Sequence, residues 1–328
     1  MRNAVIISTG AYAPQRVLPN SYFDELLGTP VSPWLEKMNI YQRHWCGPDE
    51  STADLAVAAG QQALERAGIK ASDIDLILVA TDTPEYISPS TAALVQYRMQ
   101  AGYAGTFDLN HACAGFITAL NVGAKFISTE PHLRYVLVIG AYAMSKFLNP
   151  EDKKTLTLFA DGAAAAVLGG ETGASRGVLA TDMITLGQYY DGMGIYAGGA
   201  KKPITTAAAL DEDRFIRMVY KFPPELNPQM WERMARTLCK RVDATPAEVD
   251  QYIFTQININ SIRLVMNRLS QPFEKTHTIM DRYAFTGAAC VGMAMNDAIE
   301  QGKIKENDLV VLISSGSGLA FSGLALRF

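Results

Sequence analysis

Laid against itself, the chain repeats once: residues 52–170 match residues 228–328 at a shift of about 175, and this self-similarity constrains the architecture before any motif is read. Three stretches correspond in order. A helical pattern ending Gln62-Ala-Leu-Glu-Arg-Ala-Gly feeds the apolar run Asp73-Ile-Asp-Leu-Ile-Leu-Val, as Met234-Ala-Arg-Thr-Leu-Cys-Lys feeds Glu248-Val-Asp-Gln-Tyr-Ile-Phe. Phe107-Asp-Leu-Asn-His-Ala-Cys-Ala-Gly-Phe opens a helix of small residues after a turn-like approach, and Tyr283-Ala-Phe-Thr-Gly-Ala-Ala-Cys-Val-Gly does the same in the second half. Finally, Tyr135-Val-Leu-Val-Ile-Gly and Leu309-Val-Val-Leu-Ile-Ser are β-branched runs of the kind buried on both faces of a sheet. Any α/β chain offers helix–strand pairs at some shift, but three ordered matches at a single shift argue against coincidence. They predict an α/β fold of five layers, α-β-α-β-α, built from two similar halves, residues 1–170 and 171–328. Two small-residue helices would lie between two sheets, because only Gly, Ala and Ser permit so close an approach. No Pro/Gly/Ser-rich linker separates the halves near residues 170–225, so one rigid body is expected.

Composition narrows the function classes. Of 328 residues, 48% are hydrophobic and 19% charged, a globular mixture too apolar for disorder and too interrupted for a membrane protein. The net charge of -4 comes from 29 basic and 33 acidic residues with no basic run, which excludes a chain that tracks a phosphate backbone; no nucleic-acid partner is expected. Cys46, Cys113, Cys239 and Cys290 show no CxxC pairing, so neither a disulfide framework nor a metal site is suggested. The opening Met-Arg-Asn-Ala-Val-Ile-Ile-Ser-Thr-Gly reads as a buried first strand and not a signal peptide, its apolar run being too short. No stretch offers the roughly 18 uninterrupted apolar residues that span a bilayer. Reduced thiols in the cytoplasm, with no membrane partner, are the expectation.

The chemistry centres on Asn110-His-Ala-Cys-Ala-Gly-Phe, which sets Cys113 in the first turn of an apolar helix. Unpaired N–H groups and the helix dipole there favour a thiolate. The flanking Ala and Gly leave room for a substrate, and the cysteine's own N–H is placed to hold an oxyanion. The same residues also suit a small buried thiol in a tight helix contact.

Taken with two further passages, this motif makes the chain resemble β-ketoacyl-acyl-carrier-protein synthase III and its relatives in the thiolase superfamily over essentially its whole length. The passages are Leu158-Phe-Ala-Asp-Gly-Ala-Ala-Ala-Ala-Val-Leu-Gly and the glycine-rich turn Ser314-Ser-Gly-Ser-Gly-Leu-Ala-Phe-Ser-Gly, which includes Gly316 at the substrate. The resemblance implies a thiolase-like sandwich, a thioester formed on Cys113, an oxyanion hole from the backbone N–H groups of Cys113 and Ser317, and no cofactor. It also shows departures. The family's His-Gln-Ala-Asn motif falls on Thr255-Gln-Ile-Asn, where Gln256 and Asn258 match and Thr255 replaces histidine; its Gly-Asn-Thr-Ser motif falls on Ala284-Phe-Thr-Gly, where Phe285 replaces asparagine. In ordinary members those two residues stabilise the enolate formed as a malonyl unit loses carbon dioxide, at about 3–4 kcal/mol per donor. Phe285 donates nothing, and Thr255 offers one neutral hydroxyl.

Of the four histidines, His111 is the one near the nucleophile, as a general base or as a hydrogen-bonding support behind the turn. His44 and His132 read as surface residues, and His277 as preceding a strand. Asp161 either orients a neighbouring loop or caps a turn. Trp34 remains where the family stacks the adenine of coenzyme A, but the partnering arginine falls on about Met38, so the acyl thioester donor is either a carrier protein or coenzyme A. The carrier-docking arginine corresponds to Asn260, with Arg263 and Arg268 on the same predicted helix. Ser88 stands where some relatives close the acyl pocket with a phenylalanine from the partner of a homodimer, and leaves that pocket deeper. The resemblance implies a thioester-dependent acyltransferase or specialised condensing enzyme of lipid-like or secondary metabolism. The alternative is a catalytically reduced support subunit of a heteromeric condensing enzyme.

Overall fold

The computed structural model describes residues 2–173, 175–205 and 212–328. Two mixed sheets carry the architecture. The first has the order Arg2–Tyr12, Asp161–Thr172, Tyr135–Ala143, Leu76–Ala80, Gly105–Leu109; the second runs Gln251–Phe254, Leu309–Gly316, Ala320–Arg327, Gly177–Thr185. In each, the β-branched runs singled out by the repeat pair in parallel: Leu76–Ala80 with Tyr135–Ala143, and Gln251–Phe254 with Leu309–Gly316. All residues of Leu76–Ala80 and Leu309–Gly316 are buried, because helices cover both faces of these central strands.

Helices Gly115–Thr129 and Cys290–Glu300 pack between the sheets, touching strands of both. Thr52–Ala67 and Thr91–Met99 cover the outside of the first sheet, and Leu226–Arg241 covers the second with Ile259–Arg268 against it. This is the five-layer thiolase-like sandwich. Small residues make it buildable: a Cβ on Gly292 would stand 2.6 Å from the Ala164 Cβ and 2.9 Å from the Phe116 ring. Ala112–Thr129 is also long and apolar enough to cross a bilayer, yet it is the core helix between the sheets, with 61% of it buried.

Two expectations need adjusting. Arg2–Tyr12 is a strand, but it sits at the edge of its sheet, pairs among the described residues only with Asp161–Thr172, and is half-buried over much of its length. His277 precedes the short helix Met280–Tyr283 and not a strand; it is buried, with Nε2 2.6 Å from Asp297 and Nδ1 3.0 Å from Lys303. Asp161 ties loops together: its carboxylate accepts from Cys46 N at 2.7 Å, from Ser145 N at 2.8 Å and from the Ser145 hydroxyl.

Candidate active site around Cys113

Strand Gly105–Leu109 delivers the chain to Asn110 and His111, a 3-10 turn follows at Ala112–Ala114, and helix Gly115–Thr129 continues from it. Ala112 carries φ 45°, a left-handed conformation that costs a residue with a Cβ free energy unless its surroundings enforce it. They do. Asn110 Oδ1 accepts from Ala112 N at 3.0 Å, and the Cys113 carbonyl accepts from Ser314 Oγ at 2.8 Å. Gly316 presses against the same turn, where a Cβ would come within 2.6 Å of Cys113 N, so only glycine fits.

Thr255 belongs to this brace. Its Oγ1 accepts from Ser315 N at 2.8 Å and lies 3.0 Å from Ser314 Oγ. Ser314 has one hydroxyl proton and spends it on the Cys113 carbonyl, so Thr255 donates to Ser314. The Thr255 hydroxyl therefore has no proton left for a substrate, which corrects the expectation that it offers one. Phe285 is 1% exposed, packs 5.5 Å from Phe159 between ring centroids, and is held by backbone bonds to Leu158 O and Ala160 N.

Cys113, Thr255, Phe285, Asn258, Gly316 and Trp34 line one cavity of about 350 Å³. Trp34 is 38% exposed with Met38 beside it on the lining, and Lys154 and Lys221 supply its cations. Asn258 caps helix Ile259–Arg268 by accepting from Asn260 N at 2.9 Å. Arg268 on that helix is engaged by Glu225 and Glu232, and Arg263 lies over Phe273. Ser88 lies on an exposed loop and lines neither this cavity nor the one behind it. Ser317 and His111 line that second cavity, with Ala112 of the Cys113 turn.

The state of His111 follows from its partners. Thr118 Oγ1 donates to Ala114 O at 3.0 Å, so His111 Nδ1 donates to Thr118 Oγ1 at 2.7 Å and Nε2 keeps its lone pair. Burial holds the imidazole below its ordinary pKa, hence neutral. Cys113 is pushed well above the ordinary thiol range, first by burial, then by the nearby Asp82 and Cys290, against the smaller opposing effect of its own backbone N–H. The expectation of a resting thiolate gives way: two sheets bury the sulfur, and desolvation outweighs the helix start. Alkylation of Cys113 by iodoacetamide, followed by intact mass, should accelerate about tenfold per pH unit from roughly pH 6.5 to 8.5. A plateau beginning below neutrality would show a thiolate already formed.

Sequence reasoning missed two residues. Ser314 fixes the Cys113 turn from 201 positions away, which no local pattern signals. Asp82 did carry a signal, an ionisable side chain two residues after a fully apolar strand. All four cysteines are free and buried, and no cluster of metal-ligating side chains occurs among the described residues.

Two family profiles match the chain: 3-oxoacyl-[acyl-carrier-protein (ACP)] synthase III over residues 107–187, and its C-terminal counterpart over residues 239–328. Similar proteins include the β-ketoacyl-[acyl-carrier-protein] synthase III of Natranaerobius thermophilus, 35% identical over all of both chains, and that of Wolbachia pipientis wMel, also 35% identical over all of both. Among solved structures, the 3-oxoacyl-[acyl-carrier-protein] synthase III of Aquifex aeolicus superposes with a TM-score of 0.89 at 31% identity, covering 99% of this chain and 100% of its own. The enzyme of Pseudomonas aeruginosa gives 0.90 at 28%, covering 99% and 98%.

Proposed function

Since the chain belongs to the β-ketoacyl-[acyl-carrier-protein] synthase III family of acyl-condensing transferases, we propose that Cys113 is its nucleophile and takes an acyl group from a thioester donor. One observation carries this reading: a cysteine on a strained, over-determined turn in the wall of the outer cavity, with its backbone N–H faced by the glycine-rich turn. The Cys113 sulfur attacks the donor carbonyl, the backbone N–H groups of Cys113 and Ser317 hold the oxyanion, and the departing thiolate takes up a proton. His111 with its free Nε2 is the candidate to receive the Cys113 proton, and Asn258, Gly316 and Trp34 are the candidates to contact the donor. Lys154 and Lys221 on the lining suit an anionic carrier arm from an acyl carrier protein or coenzyme A. No cofactor enters this reaction.

In this reading, Thr255 and Phe285 leave the site without the two donors that stabilise a malonyl-derived enolate. The protein is then an acyltransferase or specialised condensing enzyme of lipid-like or secondary metabolism, acting in the cytoplasm. The same two residues favour a second reading, a support subunit for an active relative. Intact mass after incubation with a panel of acyl thioesters separates the two. A gain mapped to Cys113 supports the enzyme; no gain across the panel supports the subunit.

A homodimer completes the proposal. Gly105–Leu109 is an edge strand with one side unpaired among the described residues, and Phe107 on it is 36% exposed. Two copies are expected to pair along this edge about a two-fold axis, which would bring the Ser88 loop of each to the other's acyl pocket. Sedimentation at micromolar concentration should give twice the 35.7 kDa chain mass, and a monomer would remove the arrangement.

A further inference from the structure

Arg43, on the strand Gln42–Trp45, is completely buried, and no carboxylate answers its charge among the described residues. Its guanidinium donates to Leu18 O at 3.2 Å and to Thr157 O at 2.7 Å, its Cζ lies 4.6 Å from the Phe23 ring centroid, and its buried Nε has no partner. Burying a cation in this way is costly, and burial pushes its pKa down to about 9. An apolar side chain would fill the same space at less cost. What the guanidinium adds is its grip on Thr157.

That carbonyl lies at the end of the short helix Lys153–Leu158, where it has no intrahelical donor. The residues after it are gripped in turn. Leu158 O accepts from Phe285 N at 3.3 Å, Phe159 O accepts from Trp45 Nε1 at 3.1 Å, and Ala160 N donates to Phe285 O at 2.9 Å. Strand Gln42–Trp45, through Arg43 and Trp45, and Phe285, through its backbone, hold the chain from Thr157 to Ala160 between them. Leu158 and, one turn earlier, Lys154 line the outer cavity around Cys113.

The other end of the tie leads to a further stretch of the same cavity wall. Gln42–Trp45 pairs with Arg16–Pro19, Asn20 Nδ2 donates to Ile40 O at 2.7 Å, and Ile40 N donates to Leu35 O at 3.0 Å, beside Trp34. Trp34 and Met38 line the cavity from this segment. Arg43 therefore joins two stretches of chain, 114 residues apart at the bond itself, that each contribute to the lining.

We propose that Arg43 is a positioning residue for the outer cavity: it sets the spacing between the Trp34 segment and the helix carrying Lys154 and Leu158, and with it the fit of the thioester donor over Cys113. This rests on the reading of Cys113 as the acylated residue. The effect falls on donor binding, because Arg43 touches neither Cys113 nor the glycine-rich turn.

The test uses the full chain with hexanoyl phosphopantetheine as donor, and loading on Cys113 read by intact mass. Arg43→Met should raise the half-saturating donor concentration at least about tenfold while the loading rate at saturation stays within about threefold, the signature of lost binding. Arg43→Lys, which keeps a donor for Thr157 O, should recover most of the loss. Trp45→Phe removes the neighbouring grip on Phe159 O and should move the same quantity in the same direction, which keeps the test decisive where Arg43→Met does not fold. Alkylation of Cys113 by iodoacetamide, a reagent too small to need both walls, should be unchanged in all three. A half-saturating concentration that neither Arg43→Met nor Trp45→Phe moves, or a fall in loading and alkylation together, overturns the proposal. Calorimetry with the non-reactive thioether S-hexyl phosphopantetheine separates it from the chemistry: Arg43→Met should bind this probe at least about tenfold more weakly than the unmodified protein. Absence of loading with that binding difference intact removes only the acyltransferase reading; equal binding removes the positioning role.

Discussion

Cys113→Ala is expected to abolish acyl loading, by at least about a thousandfold, while Cys46→Ala, Cys239→Ala and Cys290→Ala leave it in place. All four cysteines are buried, so exposure does not choose between them. Position does. Cys113 alone lines the cavity where a thioester can reach it. Burial, and next the carboxylate of the adjoining Asp161, suppress the ionisation of Cys46, and Cys239 is buried beside Tyr252 in the outer helix of the second half. Cys290 is the informative control, because it begins Cys290–Glu300, the counterpart of the Cys113 helix in the internal repeat. Its thiol is pushed up to about 12 by burial, and it lines neither the outer nor the rear cavity. If a helix start alone made a nucleophile, both positions would load; if access and the braced turn make it, only Cys113 will. Loading that survives Cys113→Ala would move the nucleophile elsewhere.

This contrast also marks how far the sequence reaches. The five layers were legible because burial on both faces leaves a continuous β-branched run, and because a helix between two sheets must be small along its length. Those are local signatures. Cys113 was legible as a position, through its turn and its helix, but not in its protonation state. That depends on desolvation by both sheets and on Asp82 and Cys290, which lie far along the chain. Thr255 was legible as the residue that opens Thr255-Gln-Ile-Asn, while the commitment of its hydroxyl was not. Its partner Ser314 is 59 residues away and meets it only because Gln251–Phe254 and Leu309–Gly316 pair in parallel. The edge position of Arg2–Tyr12 was hidden for a related reason: its apolar residues show that it is a strand, but the number of neighbours is a property of the whole sheet.

The commitment of Thr255 sharpens what decarboxylation should look like. The unmodified protein is expected to release carbon dioxide from malonyl carrier protein poorly, since Phe285 has no donor and the single proton of Thr255 is held by Ser314. Acyl loading should be unaffected, because it uses the nucleophile and the oxyanion hole, whereas decarboxylation needs a second site for the negative charge of the enolate. Either Thr255→His or Phe285→Asn alone restores one donor and should help little. The double change should raise carbon dioxide release by at least about tenfold, equivalent to about 1.4 kcal/mol of transition-state stabilisation. The gain stays below the sum of two full donors for reasons visible in the fold. Losing the Thr255 hydroxyl leaves the buried Ser315 N–H without its acceptor, a loss of about 1–3 kcal/mol, and removing the Phe285 ring opens its packing against Phe159. The double variant should therefore melt earlier even as it reacts faster, a combination that a merely misfolded protein cannot produce. Release of labelled carbon dioxide, measured beside a melting curve, reads both. If the unmodified protein already decarboxylates at the rate of an ordinary condensing enzyme, another group supplies the missing stabilisation. His111, with its Nε2 unengaged behind the nucleophile turn, would then be the first residue to replace.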